Sequence, residues 1–457
     1  MRDLAFMAAM AGLLPLAVVR PFAGVLLWCW ISFMNPHRLV WGAAMDMPWA
    51  MAVFAATVLG CIVAAEPKRP PLNAVAMMLV ALLFCFTVTS FTAMGEHAAV
   101  WAKWEQTIKV IIGLLLTAAL LTERRRVHAL VWVMIISIGY YGVRGGIFSI
   151  LTGGQYRVWG PDQTMITDNN HLAAAMLVTL PLMHYLRLHS RHPIVRHLLL
   201  AAMLLTLLAT VTSYSRGALL GLLAIAGMMW LRSKRKVVSA VVMAGCLAGA
   251  VAFMPGDWGA RMETITSYQK DESASERIVL WGISLDLALQ RPLVGSGFTG
   301  PYTRQVVDTV APGGPARAVH SIWFELLGEH GFPTFFVWCG LTAAGMLAAI
   351  RLARITRNRP DLAWAHDLGR MAQVSIVAYL VSGSFLSLSY WDFYWTLLVV
   401  VAAAHVLARR ALAGEALPGA AAGWRHRAPA PPRAALAQSP LAQSPLAQSP
   451  LARGARA

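Results

Sequence analysis

The chain has 457 residues, of which 58% are hydrophobic and 13% charged, and its mean hydropathy is +0.59. So apolar a composition cannot cover itself with a water-compatible surface, which makes lipid the solvent and excludes a soluble globular protein. The net charge of +17 does not point to nucleic acid, because the basic residues punctuate the apolar runs instead of gathering on one soluble domain.

The first apolar stretch, Leu4 to Met34, is too long for one straight span and has Arg20-Pro21 in its middle. It predicts either two short helices or one broken helix. No small-residue cleavage site with a polar mature region follows, so it reads as a retained helix and not a signal peptide. Later runs such as Ile111 to Leu121, Leu198 to Thr212 and Val237 to Met254 are nearly chargeless and apolar all round. A transmembrane barrel would alternate apolar and polar residues, so each run is a helix that satisfies its own backbone. The expected fold is all-α and polytopic, with about 12–13 transmembrane helices.

Basic clusters set the topology. Glu66-Pro67-Lys68-Arg69, Arg124-Arg125-Arg126, Arg187 to His197, Arg232 to Lys236, Arg351 to Arg359 and Arg409-Arg410 are expected on the cytoplasmic side. The segments between them then face the other side: Asn35 to Pro48, Ala93 to Glu105, Thr152 to Asn170, Ser213 to Ser215, Pro255 to Phe332 and Ser387 to Tyr390. Asp168, Asn169 and Asn170 precede an apolar run and most simply cap a helix. The cysteines, Cys29, Cys61, Cys85, Cys246 and Cys339, all lie in apolar runs without a CxxC spacing and read as small buried hydrophobes. From about Ala411 the chain becomes rich in Ala, Pro and Arg and repeats Leu-Ala-Gln-Ser-Pro, as in Leu441 to Pro445, which predicts a disordered cytoplasmic tail.

Any chemistry is expected in the outer segments. Ser213-Tyr214-Ser215-Arg216-Gly217-Ala218 sits between two apolar runs with almost no connection, so Arg216 lies at or just inside the outer membrane face. Two readings are equally open there: a snorkelling anchor to lipid head groups, or an anion clamp at the depth of a lipid-linked phosphate. The Pro255 to Phe332 loop is longer than a connection needs and strongly polar, carrying Arg261, Glu263, Lys270 and Asp271 among other charges. Within it, Glu276 to Leu289 has a helical rhythm stopped by Arg291-Pro292, which predicts a helix on or near the membrane surface with Arg277 in its first turn. Gly295-Ser296-Gly297-Phe298-Thr299-Gly300 matches neither a P-loop nor a dinucleotide fingerprint, so a simple tight turn is at least as good a reading as a phosphate cradle. His320 opens the segment His-Ser-Ile-Trp-Phe-Glu-Leu-Leu-Gly-Glu-His-Gly at the start of a helix, either as an interfacial residue or as a catalytic one.

The ordered set of Ser215-Arg216-Gly217-Ala218, Arg277 and Trp281 followed by Pro292 and Gly295-Ser296-Gly297, and His320-Ser321 with Glu325 and Gly331 resembles the O-antigen ligase and O-antigen polymerase superfamily. Asn170 and Leu172-Ala173, after Arg157 and Gly160, fit that family's outer-loop pattern. The N-terminal stretch with Asn35-Pro36-His37-Arg38-Leu39 is similar to the O-glycosylation ligases associated with exosortase A systems. The resemblance extends to about Arg410. It implies four parts: N-terminal transmembrane helices over 1–195, a ligase-like core over 196–350 containing the periplasmic loop 255–332, C-terminal helices over 351–410, and the tail 411–457.

What the resemblance implies is a lipid-donor glycosyltransferase of GT-C-like architecture in a bacterial inner membrane. It would move a glycan from undecaprenyl diphosphate to a protein, lipid or glycan hydroxyl on the periplasmic face. Arg216 and Arg277 would bind the diphosphate through charge-assisted hydrogen bonds and stabilise the leaving group. His320 would be the general base of an inverting attack. No cofactor or metal is implied. Arg157, Arg291, Arg304 and Arg317 are weaker candidates for glycan or diphosphate contact, with solvated loop charge as the default. Glu325 is a candidate for orienting His320, but an offset of five residues puts it off the same helix face, which favours a structural role. Polymerase and ligase differ only in acceptor. A transporter or flippase stays open chiefly because of Arg144, which would favour it if it faced a water-filled cavity near the membrane midplane. A membrane scaffold would leave the polar loop unexplained.

Overall fold

A computed structural model describes residues 2–233, 235–253, 256 and 272–415. Arg261, Glu263, Lys270, Asp271 and the repeat-bearing tail from residue 416 lie outside the described residues.

Among the described residues the regular structure is helical and no strand occurs. The chain breaks where its side chains require it. Arg20-Pro21 separates α1 (Arg2–Val19) from α2 (Pro21–Met34), with Pro21 at the first helical position where its missing N–H costs nothing. Asn35 ends α2 in the left-handed conformation, its N–H donating to the Ile31 carbonyl. Next come α3 (Trp49–Val63), α4 (Ala74–Phe91, capped by the Asn73 side chain), α5 (His97–Leu120) and α6 (Arg124–Leu151). Then follow α7 (Asn169–His189), α8 (Pro193–Val211), α9 (Arg216–Arg232) and α10 (Lys236–Phe253). After them come α11 (Glu272–Gln290), α12 (Ile322–Ile355), α13 (Ala363–Gly383) and α14 (Asp392–Leu412). The helix expected over Glu276 to Leu289 is thus present and slightly longer.

Seven of these, α1, α4, α6, α7, α8, α12 and α14, are long and apolar enough to cross a membrane. That is fewer than the 12–13 spans expected, for identifiable reasons. Apolar α2 and α3 are short, Lys103, Glu105 and Lys109 interrupt α5, and His366, Asp367 and Arg370 occupy the first half of α13.

The helices alternate between two ends. At one end the basic clusters meet: Glu66 pairs with Arg126 at 2.6 Å and accepts from the Phe22 N–H, His189 meets Asp367 at 3.0 Å, and Arg232 donates to the Arg370 carbonyl and to Gln373. At the other end the segments between clusters meet. Met94 N–H donates to the Ser296 carbonyl, Asn169 Nδ2 to the Ser213 carbonyl, and the Tyr214 hydroxyl to the Gly154 carbonyl. Arginine clusters repel one another but tolerate this gathering where carboxylates and carbonyls intervene. The middle is dry: α7 is buried from Leu172 to Met183 and α14 from Asp392 to Ala404, as expected of helices apolar on every side. Tyr379 and Tyr394 stack there with ring centres 3.6 Å apart, beside Trp338 and Trp395.

Candidate active site

Three segments at the loop end are drawn together through Phe385 and Asn169. The first is the turn between α8 and α9. Ser213 Oγ donates to the Thr210 carbonyl, Tyr214 takes a positive φ of 59°, and Ser215 caps α9 by accepting from the Ala218 N–H at 3.2 Å. Arg216 is therefore the first residue of a helix, half-buried at its positive end, where an added cation is unfavourable and an arriving anion is favoured. Beside it, a Cβ on Gly217 would lie 3.6 Å from Phe385 Cβ.

The second segment is α11. Trp281 donates its indole N–H to the Val319 carbonyl at 3.1 Å, stacks on Phe324 at 5.3 Å and tilts against Phe385 at 6.3 Å. This anchors α11 against the start of α12 and links it through Phe385 to the α9 turn. Close approach of the two helices needs Gly328, whose missing Cβ would fall 2.9 Å from Ser284 Cβ. Arg277 stands one turn before Trp281 on the same helix.

The third segment is the start of α12. His320 has φ +53°, an uncommon conformation for a residue with a side chain, and its N–H donates to Ser387 Oγ at 2.9 Å. Its Nδ1 is buried without a hydrogen-bond partner. Burial first, then the charges of Arg277 and His171, push the imidazole down from 6.5 to about 4, with Asp168 opposing and Arg317 adding to the fall. Among the described residues these four carry the charges that act on His320. At neutral pH its ring is uncharged and able to accept a proton.

His171 and Asp168 had no catalytic assignment from sequence. Asp168 caps α7, accepting from the Asn170 N–H at 2.8 Å, and its carboxylate also meets His171 Nδ1 at 3.2 Å. Burial raises the Asp168 carboxyl, but the bonds from His171 and Asn170 outweigh it and hold it well below the usual range. Asn169 ties this cap to the Ser213 carbonyl, three residues before Arg216. The cap was legible in the sequence; its place beside His320 was not, because the two segments are joined only through the folded chain.

The remaining candidates separate. Arg317 pairs with Glu276, the neighbour of Arg277, and stays near His320. Arg291 donates to the Thr92 carbonyl and ties the loop to the end of α4, while Arg304 donates to the Gly314 carbonyl and lies 3.6 Å from Asp308, holding the loop to itself. Arg157 lines a different cavity, with Arg144. Glu325 is buried and accepts from the Tyr302 hydroxyl at 2.6 Å, from Ser389 Oγ at 2.5 Å and from the Ser389 N–H at 3.2 Å, which makes it a structural clasp. The glycine turn is equally occupied. Ser296 and Gly297 N–H groups donate to the carbonyls of Gly328 and Glu329, and the Thr299 N–H to the Glu329 carboxylate. With those amides used by the protein, the segment is a tight turn and not a phosphate cradle.

Residues 201–339 match the model of the O-antigen ligase family. The match runs from α8 into α12 and takes in Arg216, Arg277 and His320, supporting a place in the O-antigen ligase superfamily and a membrane enzyme of glycosyltransferase-like ligase type. Residues 1–191 match a family of unknown function. No curated protein matches the chain.

Proposed function

We propose that this protein is an inverting glycosyltransferase of the bacterial inner membrane that transfers a glycan from undecaprenyl diphosphate to an acceptor hydroxyl at its periplasmic face. The reading is supported by an uncharged His320 whose Nδ1 has no hydrogen-bond partner, by Arg277 acting on it, and by the Arg216 turn linked to the same helices through Phe385, within the segment that matches the ligase family.

In this reading the diphosphate lies against Arg216 and Arg277, while His320 faces the acceptor. The acceptor oxygen attacks the anomeric carbon and its proton passes to the imidazole. The bond from the anomeric carbon to the diphosphate oxygen breaks, and undecaprenyl diphosphate leaves with the electron pair. Two guanidinium groups hold the developing charge, so the chemistry requires no metal. A free-protein value near 4 makes His320 a weak base, but the diphosphate brings negative charge beside it, which raises its basicity when the donor is bound. Asp168, ionised and bonded to His171, adds to the same field.

The likeness of Asn35-Pro36-His37-Arg38-Leu39 to exosortase-associated ligases favours a terminal acceptor, such as a protein or surface polysaccharide, over polymerisation of repeat units. The basic end of the helices, and with it the tail after Arg410, then faces the cytoplasm. Transport is disfavoured by the place of Arg144: its cavity is walled by the 157–161 loop at the loop end, and not by helices alone in the middle of the bundle.

The test is transfer of a labelled glycan from undecaprenyl diphosphate by the purified protein to protein, lipid and glycan acceptors. Transfer by the wild type, with loss in His320→Ala and falls of about a hundredfold in Arg216→Gln and Arg277→Gln, is the expected outcome. Movement of intact donor across vesicles without transfer would overturn the reading in favour of transport.

A further inference from the structure

The arginines that the transfer chemistry leaves unused, Arg144 and Arg157, share a cavity of about 290 Å³ with Leu39, Tyr141, Phe148 and Trp159. Arg144 belongs to α6, and most of the exposed residues of that helix near it, Ile136, Tyr140, Ile147, Phe148 and Leu151, recur at helical spacing on one stripe, with exposed Ile150 at its edge. On a helix that crosses a membrane, such a stripe faces lipid tails. Arg144 emerges from it seven residues before the helix end, about 10 Å along the axis. Arg157, on the loop that roofs the cavity, adds a second exposed guanidinium. Neither arginine pairs with a carboxylate among the described residues. An arginine on a lipid-facing surface is costly unless an anion meets it.

We infer that Arg144 and Arg157 form a binding site for the phosphate of a membrane lipid, whose chain lies along the Ile136, Tyr140, Ile147 and Leu151 stripe of α6. The cavity is at the lower limit of small-ligand sites, roughly 300 Å³, which suits one head group and not an oligosaccharide. Two guanidinium groups suit a phosphate's several acceptor oxygens, and the rings of Tyr141 and Trp159 supply the amphipathic wall typical of the membrane interface. A phospholipid and a polyprenyl diphosphate carrier both present this chemistry. The site does not depend on the transfer reading, since it uses none of the residues assigned to it.

The test is native mass spectrometry of the full chain in detergent, titrated with phosphatidylglycerol, undecaprenyl diphosphate or phosphate-free undecaprenol. The wild type should retain a phosphate-bearing lipid and not undecaprenol. Arg144→Gln/Arg157→Gln should weaken that retention about thirtyfold, the effect of removing two arginines near a membrane surface. Trp159→Glu, on the exposed loop, should weaken it as well by setting a carboxylate beside the arginines, and serves if the double variant does not fold. Retention of phosphatidylglycerol identifies a phospholipid site. Retention of undecaprenyl diphosphate alone, kept in Arg277→Gln, identifies the carrier. Equal retention by wild type and both variants, or retention of undecaprenol as strong as that of the phosphate-bearing lipids, overturns the inference.

Discussion

The His320 N–H donates to Ser387 Oγ at 2.9 Å, and this bond ties the start of α12 to the turn between α13 and α14. The histidine depends on it because its φ of +53° is held by surroundings and not by local preference. Ser387→Ala should lower transfer about fivefold to tenfold through kcat, in line with the roughly 1 kcal/mol of one hydrogen bond. Ser387→Thr should restore much of it. An equal loss in both, or a loss confined to KM, would argue against a positioning role.

The acidity of His320 sets the pH profile. Its imidazole titrates near 4 in the free protein, below the ordinary 6.5, so the proton-accepting form persists as pH falls and is lost only through about 4. A plot of kcat/KM should stay flat from neutral pH to about 5, then decline. Removing one of the repelling charges with Arg277→Gln should move that decline to higher pH, whatever it does to the plateau. The same shift bears on stability. The folded state binds fewer protons than the unfolded chain, so the contribution of this group is complete above 6.5 and falls as pH drops toward 4. A wild-type profile that already declines at 6.5 would show that His320 is not held as described.

Glu325 should prove structural. Three hydrogen bonds reach its buried carboxylate, from Tyr302 and from Ser389 twice, and truncation strands all of the donors. Glu325→Ala should destabilise the protein by roughly 2–4 kcal/mol. In Glu325→Gln the amide oxygen keeps part of the network, so the loss should be smaller and the acid limb of the activity profile unmoved. Thermal unfolding in detergent measures the first, and a shifted limb would point instead to a role in proton transfer.

Gly331 and Gly295 lie back to back where α12 kinks. A Cβ on Gly331 would meet the Pro292 carbonyl oxygen at 2.6 Å, and one on Gly295 would meet the Gly331 nitrogen at the same distance. Gly331 also holds φ +70° and ψ −176°, a region open essentially to glycine alone. Gly331→Ala should cost at least about 2 kcal/mol of stability. A near-neutral melting temperature would show that the kink relaxes freely.

Much of this fold follows from one-dimensional physics. Apolar runs without charge must become helices in lipid, Arg20-Pro21 must break the first of them, and basic clusters must share an end. Trp281, Leu285 and Leu287 announce α11 by their spacing, and Asp168 announces a cap. For Glu325 a five-residue offset favours a structural role, and the fold engages its carboxylate with Tyr302 and Ser389. What no local pattern holds is which distant segments touch. Asp168 and His171 act on His320 from the start of a helix far away in sequence, whose first residue Asn169 also grips the Ser213 carbonyl, and the glycine turn loses its anion-binding amides because the carbonyls of Gly328 and Glu329 take them. Periodicity and charge act between residues a turn apart and so can be read along the chain. Pairings between helices far apart in sequence depend on how whole faces pack, and only the tertiary structure decided them.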